Sequence, residues 1–304
     1  MAGFPQIIRQ RPRPSDASAP QAESWADNPV ARNAPRDPTA LPADGEGDQH
    51  GTLSHLDTLR PVVPLGDGRH TPQNVALAAF LLGSIIGVGV AWSLYTLGTA
   101  TVRGSAIPSV DRALRLLGPV LVFLPLFHYL EYLSTALYNP SALGFDSFVL
   151  WPDIEGRYYQ AMLFTLVEFL VEAYVAPGMK LTWWTWTTGL LLLTAGQAIR
   201  TLAMVTAKRS FSHYIATERD PAHVLVTHGV YRSVRHPSYA GFLLFNAGLQ
   251  IYLANPVAIV AYMMAVGQFV LRRMDQEEEL LVQFFGSAYV NYQKRTAALI
   301  PYIY

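Results

Sequence analysis

The 304-residue sequence contains no cysteine, and this absence excludes disulfide bonds, thiolate metal ligands, a cysteine nucleophile and S-palmitoylation. Charged residues make up only 14% of the chain and the net charge is zero, so no broad charged field indicates nucleic acid or an acidic partner. Four common motifs are also missing, namely G-x-G-x-x-G after a strand, the P-loop, H-E-x-x-H and G-x-S-x-G. The sequence therefore predicts neither a Rossmann domain nor the familiar soluble nucleotide-binding and hydrolase sites.

Long apolar runs are what the chain has instead. Hydrophobic residues make up 51% of it, and several runs reach the roughly twenty residues that a helix needs to cross a bilayer. We therefore predict an all-α integral membrane protein. Its transmembrane helices, about six, are expected at residues 74–95, 116–138, 158–175, 183–204, 238–254 and 256–274. Only Asn255 and Pro256 separate the last two, which should form a tight hairpin with its turn at one membrane face.

The N-terminal stretch, residues 1–72, has a different composition. Eleven of the 21 prolines lie there and no apolar periodicity persists, which predicts a disordered cytosolic tail. Met1 is followed by Ala2, which excludes N-myristoylation, and no basic stretch leads into an apolar one as in a signal peptide. Residues 73–304 form the predicted transmembrane domain.

Basic residues are distributed unequally between the two sides of the predicted membrane domain. Most lie on the side that carries residues 205–237 and the C-terminus, and the positive-inside rule assigns that side to the cytosol. They are Lys208, Arg209, Arg219, Arg232, Arg235, Arg272, Arg273, Lys294 and Arg295. One short loop carries Arg103, Arg112 and Arg115 on the opposite side. The larger cluster predicts that any site among these residues faces the cytosol.

Gly83 and Gly87 form a small-xxx-small pattern in the first predicted helix. Such spacing lets two helix backbones approach closely, either within one chain or between two copies in a homodimer. Packing within the chain is the simpler interpretation, and the homodimer stays open as the alternative.

Ionisable side chains lie within or at the edges of the apolar runs. They are His128, Glu131, Glu168, Glu172, Arg200, Arg272, Arg273, Glu277, Glu278 and Glu279. Such groups are costly in a bilayer and usually face a protein interior or a wet cavity. Glu168 and Glu172 are one turn apart and are explained as readily by pairing with a histidine or arginine of a neighbouring helix. The run of three glutamates that begins at Glu277 predicts a cationic or hydroxyl-bearing partner.

A polar segment, residues 228–241, separates two of the apolar runs. Pro237 favours an extended residue before it and a helix start after it. Arg235 and His236 should therefore form a bent lip, and the first amides of the following helix should face a ligand.

This lip and two helix ends are expected to bound one cytosol-facing pocket. The helix ends are those that carry Arg200 and Arg273, the second with Glu277 one turn later. Arginines beside glutamates suit a ligand that has an anionic group and also a cation or a ribose diol. Four histidines lie between residues 213 and 236, but their spacing does not favour a metal site.

Several longer motifs can be compared with known families. They are residues 127–132, 139–140, 145–148, 168–169, 196–200, 203–204, 206–207, 223–241, 255–256, 273 with 277–278, 284–289 and 300–303. These motifs, taken along the chain, resemble those of isoprenylcysteine carboxyl methyltransferases. They resemble the eukaryotic enzyme more than its bacterial relatives. The resemblance extends from about residue 120 to the C-terminus and omits the tail and the first predicted helix.

The resemblance implies that S-adenosylmethionine is the cofactor, bound by a region of about residues 205–304. The implied cofactor contacts are His223, Val224, Leu225, Val226, Tyr231, His236, Pro237, Ser238, Tyr239 and Glu277. Arg273 matches the substrate-binding arginine, with Arg200 and Phe242 beside it, which makes the two arginines candidate catalytic residues. The family commonly has Trp in place of Phe242, and animal members have a cofactor-contacting Gln in place of Ala216.

The reaction implied by this resemblance is methylation of the α-carboxylate of a C-terminal prenylated cysteine, in proteins such as small GTPases, at the endoplasmic reticulum membrane. A carboxylate is ionised at neutral pH, so in-line attack on a sulfonium methyl needs alignment and loss of water rather than a general base. The prenyl group is expected to arrive from the lipid bilayer through a lateral gap lined by Phe242 and apolar neighbours.

Two other functions are compatible with parts of the sequence. Membrane sterol reductases share a related R-H-x-x-Y lip and use NADPH, but lack the F-H-Y-x-E-Y and R-x-x-x-E-E combination found here. A non-catalytic membrane scaffold would tolerate neutral residues at Arg200, Arg273 and Glu277.

Overall fold

The computed structural model describes residues 71–103, 109–150 and 157–299. Residues 1–70, almost all of the predicted tail, lie outside the described residues, as do motif positions 300–303. Within the described ranges the regular structure is helical, and a single isolated β-bridge joins Val234 to Ala297. The predicted all-α class is confirmed.

Nine α-helices account for most of the described chain. They are α1 (Pro72–Arg103), α2 (Ser109–Leu114), α3 (Leu117–Tyr138), α4 (Arg157–Val175), α5 (Pro177–Lys180), α6 (Trp183–Ala207), α7 (Pro237–Tyr252), α8 (Pro256–Phe285) and α9 (Ser287–Gln293). Short 3-10 turns occur at Pro140–Ala142, Phe145–Phe148, Lys208–Ser210 and Gly229–Arg232. Proline is the first residue of four of the helices, a position where its missing N–H would have no partner inside the helix.

Helices occupy all six places predicted for transmembrane segments, but within the described ranges only four spans are both long and apolar enough to cross a bilayer. These four are Pro72–Thr99, Ser109–Tyr138, Trp183–Ser210 and Pro256–Phe285. Helix α7 has 16 residues, about 24 Å of helix against a hydrocarbon core of roughly 30 Å. Helix α4 has 19 residues, but Glu168 and Glu172 lower its hydropathy. The described residues therefore contain four candidate spans, and the predicted count of six is not confirmed.

Helices α6 and α7 run antiparallel, because Gly189 packs on Tyr252 whereas Gly196 packs on Phe245. The turn between α7 and α8 therefore lies at the end of the bundle where α6 begins, which we call the tip end. The lip (residues 235–237) lies at the opposite end, beside the last turns of α6 and α8, which we call the lip end.

Four glycines bring α6 and α7 into backbone contact. Gly189 and Gly196 lie two turns apart on α6, and Gly241 and Gly248 are spaced in the same way on α7. A Cβ added at Gly196 would lie 2.5 Å from the amide nitrogen of Phe245 and 2.7 Å from Gly241 O, distances that side chains do not adopt. This contact fixes the last turns of α6 against the first turns of α7.

The glycine pair of α1 makes no such contact. A Cβ added at Gly83 or Gly87 would meet no atom within 4 Å in the described part of the chain, whereas one at Gly89 would lie 2.8 Å from Gly118 O of α3. Gly89 is turned by about 200° from Gly87 and so points to the other side of the helix. The predicted packing within the chain through Gly83 and Gly87 is therefore not found among the described residues, and a homodimer through them stays a prediction.

A buried polar cluster closes the tip end. Lys180 is fully buried, and its ammonium donates to Glu172 Oε2 at 2.5 Å, to Asn255 Oδ1 at 2.8 Å and to two carbonyls just after α7 at 2.9 and 3.0 Å. Glu168 accepts two hydrogen bonds of 2.7 Å from backbone amides in the first turn of α8. Pairing of these glutamates with a histidine or arginine is therefore wrong, since their partners are a lysine and helix-terminal amides.

Candidate active site

Helix α7 begins at Pro237 as the sequence predicts, and Arg235 lies in a bend before it. The expected extended residue is not found, because His236 has φ -120° and ψ 60°, outside the extended region. The backbone N–H groups of Arg235 and His236 donate to the successive carbonyls of residues 297–298, at 2.8 and 2.9 Å. Pro237 then begins α7, where no N–H partner is required. The C-terminal segment therefore fixes the lip from one side.

Glu278 of α8 fixes the lip from the other side. Its Oε1 accepts hydrogen bonds from Arg235 Nε at 2.9 Å, His236 Nε2 at 2.7 Å and Tyr289 OH at 2.9 Å. Its Oε2 accepts one from Gln293 Nε2 at 2.5 Å. The prediction that the glutamate run has cationic and hydroxyl-bearing partners is confirmed, although the sequence did not single out Glu278 as the central residue.

A second group of contacts joins α7 to α8 next to the lip. Tyr239 OH donates to Glu277 Oε1 at 2.5 Å and accepts from Arg273 Nε at 3.0 Å. His236 Nδ1 lies 3.6 Å from Glu277 Oε2, and Arg273 Nη2 lies 3.8 Å from Glu277 Oε1. The Arg273 side chain is 22% exposed, and no described residue forms a hydrogen bond with its Nη1. This guanidinium retains donors for a ligand.

Arg200 of α6 is far more enclosed. Its Nε and Nη2 donate to the two oxygens of Glu131 on α3, at 2.6 and 2.8 Å, and Glu131 is 1% exposed. Its Nη1 donates to Ser238 Oγ at 2.9 Å in the first turn of α7. The rings of Phe127 and Phe242 lie 5.6 and 5.3 Å from its guanidinium carbon. The sequence predicts that the end of α6 lies beside the lip. The hydrogen bond from Arg200 to Ser238 confirms that these two segments are in contact.

His213, in the loop after α6, connects the two arginines. Its ring Nε2 lies 2.8 Å from Glu131 Oε2, the carboxylate that holds Arg200. Its carbonyl accepts a hydrogen bond of 2.9 Å from Arg273 Nη2. The sequence offered His213 only as one of four histidines in a rejected metal set. No local pattern could show that its ring meets a carboxylate 82 residues away.

The remaining candidate cofactor residues lie in the segment before the lip. His223 packs edge-on against Phe284 and Phe285, with ring centroids 6.1 and 5.4 Å apart, and burial lowers the pKa of its imidazole. Tyr231 is fixed through its carbonyl, which accepts from Tyr292 OH at 2.5 Å, and burial raises the pKa of its phenol. Leu225 lies half-buried in the same segment.

A cavity of about 340 Å³ lies beside this segment. It is lined by Tyr138, Thr206, Ala207, Lys208, Arg209, Ser210, Ala222, Val224, Val226 and His228. Val224 and Val226 are candidate cofactor contacts, but no hydrogen bond of the described residues joins them to Glu277 or to either arginine. Across the described ranges, no group of three histidine, aspartate or glutamate side chains is placed to bind a metal.

Comparisons with known proteins point to one family. The family model "Isoprenylcysteine carboxyl methyltransferase (ICMT) family" matches residues 189–283, a range that contains Arg200, the lip, Arg273 and Glu277. "Protein-S-isoprenylcysteine O-methyltransferase A" of Arabidopsis thaliana is 40% identical over 194 residues, which cover 64% of this chain and 96% of that protein. The Mus musculus protein-S-isoprenylcysteine O-methyltransferase is 42% identical over 180 residues, and the match spans 63% of its length.

A solved structure shows the same fold. It is that of the eukaryotic intramembrane Ras methyltransferase, isoprenylcysteine carboxyl methyltransferase, without a monobody. It is 34% identical to this chain with a TM-score of 0.65, and the match covers 75% of this chain and 76% of that one. The chain belongs to the isoprenylcysteine carboxyl methyltransferase family.

Proposed function

We propose that this protein methylates the α-carboxylate of a C-terminal prenylated cysteine, with S-adenosylmethionine as the methyl donor. The observation that carries the proposal is the pair of arginines at the lip end. Arg200 is neutralised and fixed by Glu131, whereas Arg273 is half-buried and retains donors. An anion with an apolar tail, approaching from the membrane, is the ligand that this arrangement suits.

The residues around Glu277 fit the proposed cofactor. S-adenosylmethionine carries positive charge, a ribose diol and a carboxylate. Glu277 can accept hydrogen bonds from the ammonium group that carries part of this charge and from the diol, because only His236 Nδ1, at 3.6 Å, approaches its Oε2 among the described residues. The first-turn amides of α7, which have no partner inside the helix, suit a carboxylate. When bound, the cofactor supplies the methyl group.

The side chains of the site then have separate tasks. Arg273 binds the substrate carboxylate, and Tyr239 orients Arg273 through the 3.0 Å hydrogen bond to its Nε. No residue has to remove a proton, because the carboxylate is already ionised. His236 is poorly placed to act as a base, since its Nε2 is engaged by Glu278 at 2.7 Å. Its proposed roles are to shape the lip and to contact the cofactor beside Glu277, whose Oε2 lies 3.6 Å from His236 Nδ1.

The setting of the site completes the proposal. The lip end faces the cytosol, in the endoplasmic reticulum membrane, where prenylated small GTPases present their C-termini. Phe242, packed at the ring of Phe127 and over Arg200, marks the side of α7 along which the prenyl group enters from the lipid.

Methyl-ester formation on N-acetyl-S-farnesylcysteine tests the function directly. The purified full-length protein, supplied with S-adenosylmethionine labelled in its methyl group, should transfer label to this substrate and not to N-acetylcysteine. Binding of labelled S-adenosylmethionine and of NADPH is measured in parallel. Binding of NADPH alone, with no ester formed, would show a reductase of the sterol type and contradict the proposal.

A further inference from the structure

The loop that carries His213 is attached, on both sides of this residue, to the segment that follows α3. Asn139, which ends α3, donates its side-chain N–H to Phe211 O at 2.8 Å. Tyr214 OH donates to Asp146, which lies in the 3-10 turn Phe145–Phe148. His213 is therefore held between two anchors, and its position over the site is defined by the fold rather than by the loop alone.

The ring of His213 completes the set of partners around Glu131. This carboxylate is 1% exposed, and Arg200 already donates to both of its oxygens. Because a carboxylate only accepts, the contact at 2.8 Å requires a proton on His213 Nε2. Without this donor the buried carboxylate would lack one of its three hydrogen bonds, and Arg200 alone would hold it, so the pair would be less firmly oriented.

The carbonyl of the same residue acts on the second arginine. It accepts from Arg273 Nη2 at 2.9 Å, while Tyr239 OH accepts from Arg273 Nε at 3.0 Å. These two contacts come from different segments and fix the plane of the guanidinium. Arg200 and Arg273 are thus linked through a single residue, in the order Arg200, Glu131, His213, Arg273.

We propose that His213 is a positioning residue for the prenylcysteine carboxylate: its ring orients the Glu131–Arg200 pair and its carbonyl orients Arg273. This inference rests on the proposed function, because that function assigns Arg273 to the substrate carboxylate and Arg200, paired with Glu131, to the fixed wall beside it. It predicts that changes at His213 act on substrate recognition and leave the cofactor residues at Glu277 unaffected.

Kinetics of His213 variants test this role. In the full-length enzyme, His213→Ala should lower kcat/KM for N-acetyl-S-farnesylcysteine by about tenfold to a hundredfold, the effect of losing one hydrogen bond to a charged group. The Kd for S-adenosylmethionine, measured by titration calorimetry, should change by less than about twofold. His213→Gln keeps an N–H donor and should recover part of the loss. Thr217→Ala, an exposed position in the same loop, is the matched control and should behave as wild type.

A double-mutant cycle separates positioning from a general effect on folding. If His213 acts through Glu131, then His213→Ala should add less than about twofold to the loss caused by Glu131→Gln. Fully additive losses, or equal weakening of cofactor and substrate, would overturn the proposal. If the wild-type enzyme forms no ester, the proposed function is overturned as well. If the wild type is active and His213→Ala is equally active, only the role of His213 is overturned.

Discussion

At the scale of single residues, Arg200 and Arg273 carry the same charge in different surroundings. Arg200 is 7% exposed, and Glu131, Ser238 and two aromatic rings surround its guanidinium. Its charge is compensated by Glu131, so it contributes rigidity more than attraction. Arg273 has a neutral hydroxyl and a carbonyl as its close partners, and Glu277 no nearer than 3.8 Å. Its charge is the one available to a substrate anion.

Replacement of Arg273 tests this division. Arg273→Ala should abolish measurable turnover, a loss of at least about a hundredfold, because the donor that meets the reacting carboxylate is removed. The Kd for S-adenosylmethionine should stay near that of wild type. Arg273→Lys keeps the charge without the planar pair of donors and should recover only part of the activity. Arg272→Ala removes an exposed arginine one position away and serves as the control in the same calorimetric and kinetic assays.

Glu277 should show the opposite pattern. Glu277→Ala removes the carboxylate that meets Tyr239 OH and faces His236, and with it the proposed contact to the cofactor. We expect the Kd for S-adenosylmethionine to rise by about tenfold or more, as for one lost hydrogen bond to a charged group. At saturating cofactor, the KM for the prenylcysteine should change little. Weak substrate binding with normal cofactor binding would reverse the roles assigned to Glu277 and Arg273.

At the scale of helices, sequence reasoning succeeded where the determinants are local. Pro237 and Pro256 place the starts of α7 and α8, and apolar runs place the starts of all six helices within two residues. The ends are less well placed, since α1 and α8 extend 8 and 11 residues beyond their predicted bounds, 95 against 103 and 274 against 285. It failed where partners are distant in the chain. Lys180 meets Asn255, 75 residues away, and Glu131 meets Arg200, 69 residues away, so only the packed fold reveals these pairs.

The glycine-lined contact between α6 and α7 leads to a prediction at this scale. Gly196→Ala places a Cβ 2.5 Å from Phe245 N, so the helices must separate at a cost of about 1–3 kcal/mol. Arg200, one turn later, would move with α6, and activity should fall together with the thermal unfolding temperature. Gly83→Ala is the matched control, because nothing lies within 4 Å of its added Cβ among the described residues. A Gly196→Ala variant as stable and active as Gly83→Ala would contradict this interpretation.

The tip-end cluster supplies the second prediction at this scale. Lys180→Met leaves the Glu172 carboxylate and three oxygens at the α7–α8 turn without their shared donor. Removing one partner of a buried ion pair costs about 3–5 kcal/mol, so the unfolding temperature in detergent should fall clearly. The Kd for S-adenosylmethionine of the folded fraction should not change, because this cluster lies at the opposite end of α7 from the lip. Lys294→Met, at an exposed lysine, provides the comparison.

At the scale of the whole molecule, α6, α7 and α8 alternate in direction between the tip end and the lip end. The lip, the loop of His213 and the last turns of α6 and α8 meet at one end, whereas Lys180 and the turn at Asn255 meet at the other. All residues that we assign to the reaction lie at the lip end. Which side of the membrane this end faces therefore decides where the substrate carboxylate must be presented.

The absence of cysteine makes this orientation directly measurable. Ser287→Cys places an exposed thiol at the start of α9, at the lip end, and Gly178→Cys places one in α5, at the tip end, where an added Cβ meets nothing within 4 Å among the described residues. In sealed microsomes whose outer face is cytosolic, a membrane-impermeant maleimide should label Ser287→Cys at once and Gly178→Cys only after permeabilisation. Both variants should retain methyl transfer, since neither position touches the site. The reverse labelling order would place the site in the lumen, and labelling of both thiols in intact vesicles would contradict a membrane crossing between the two ends.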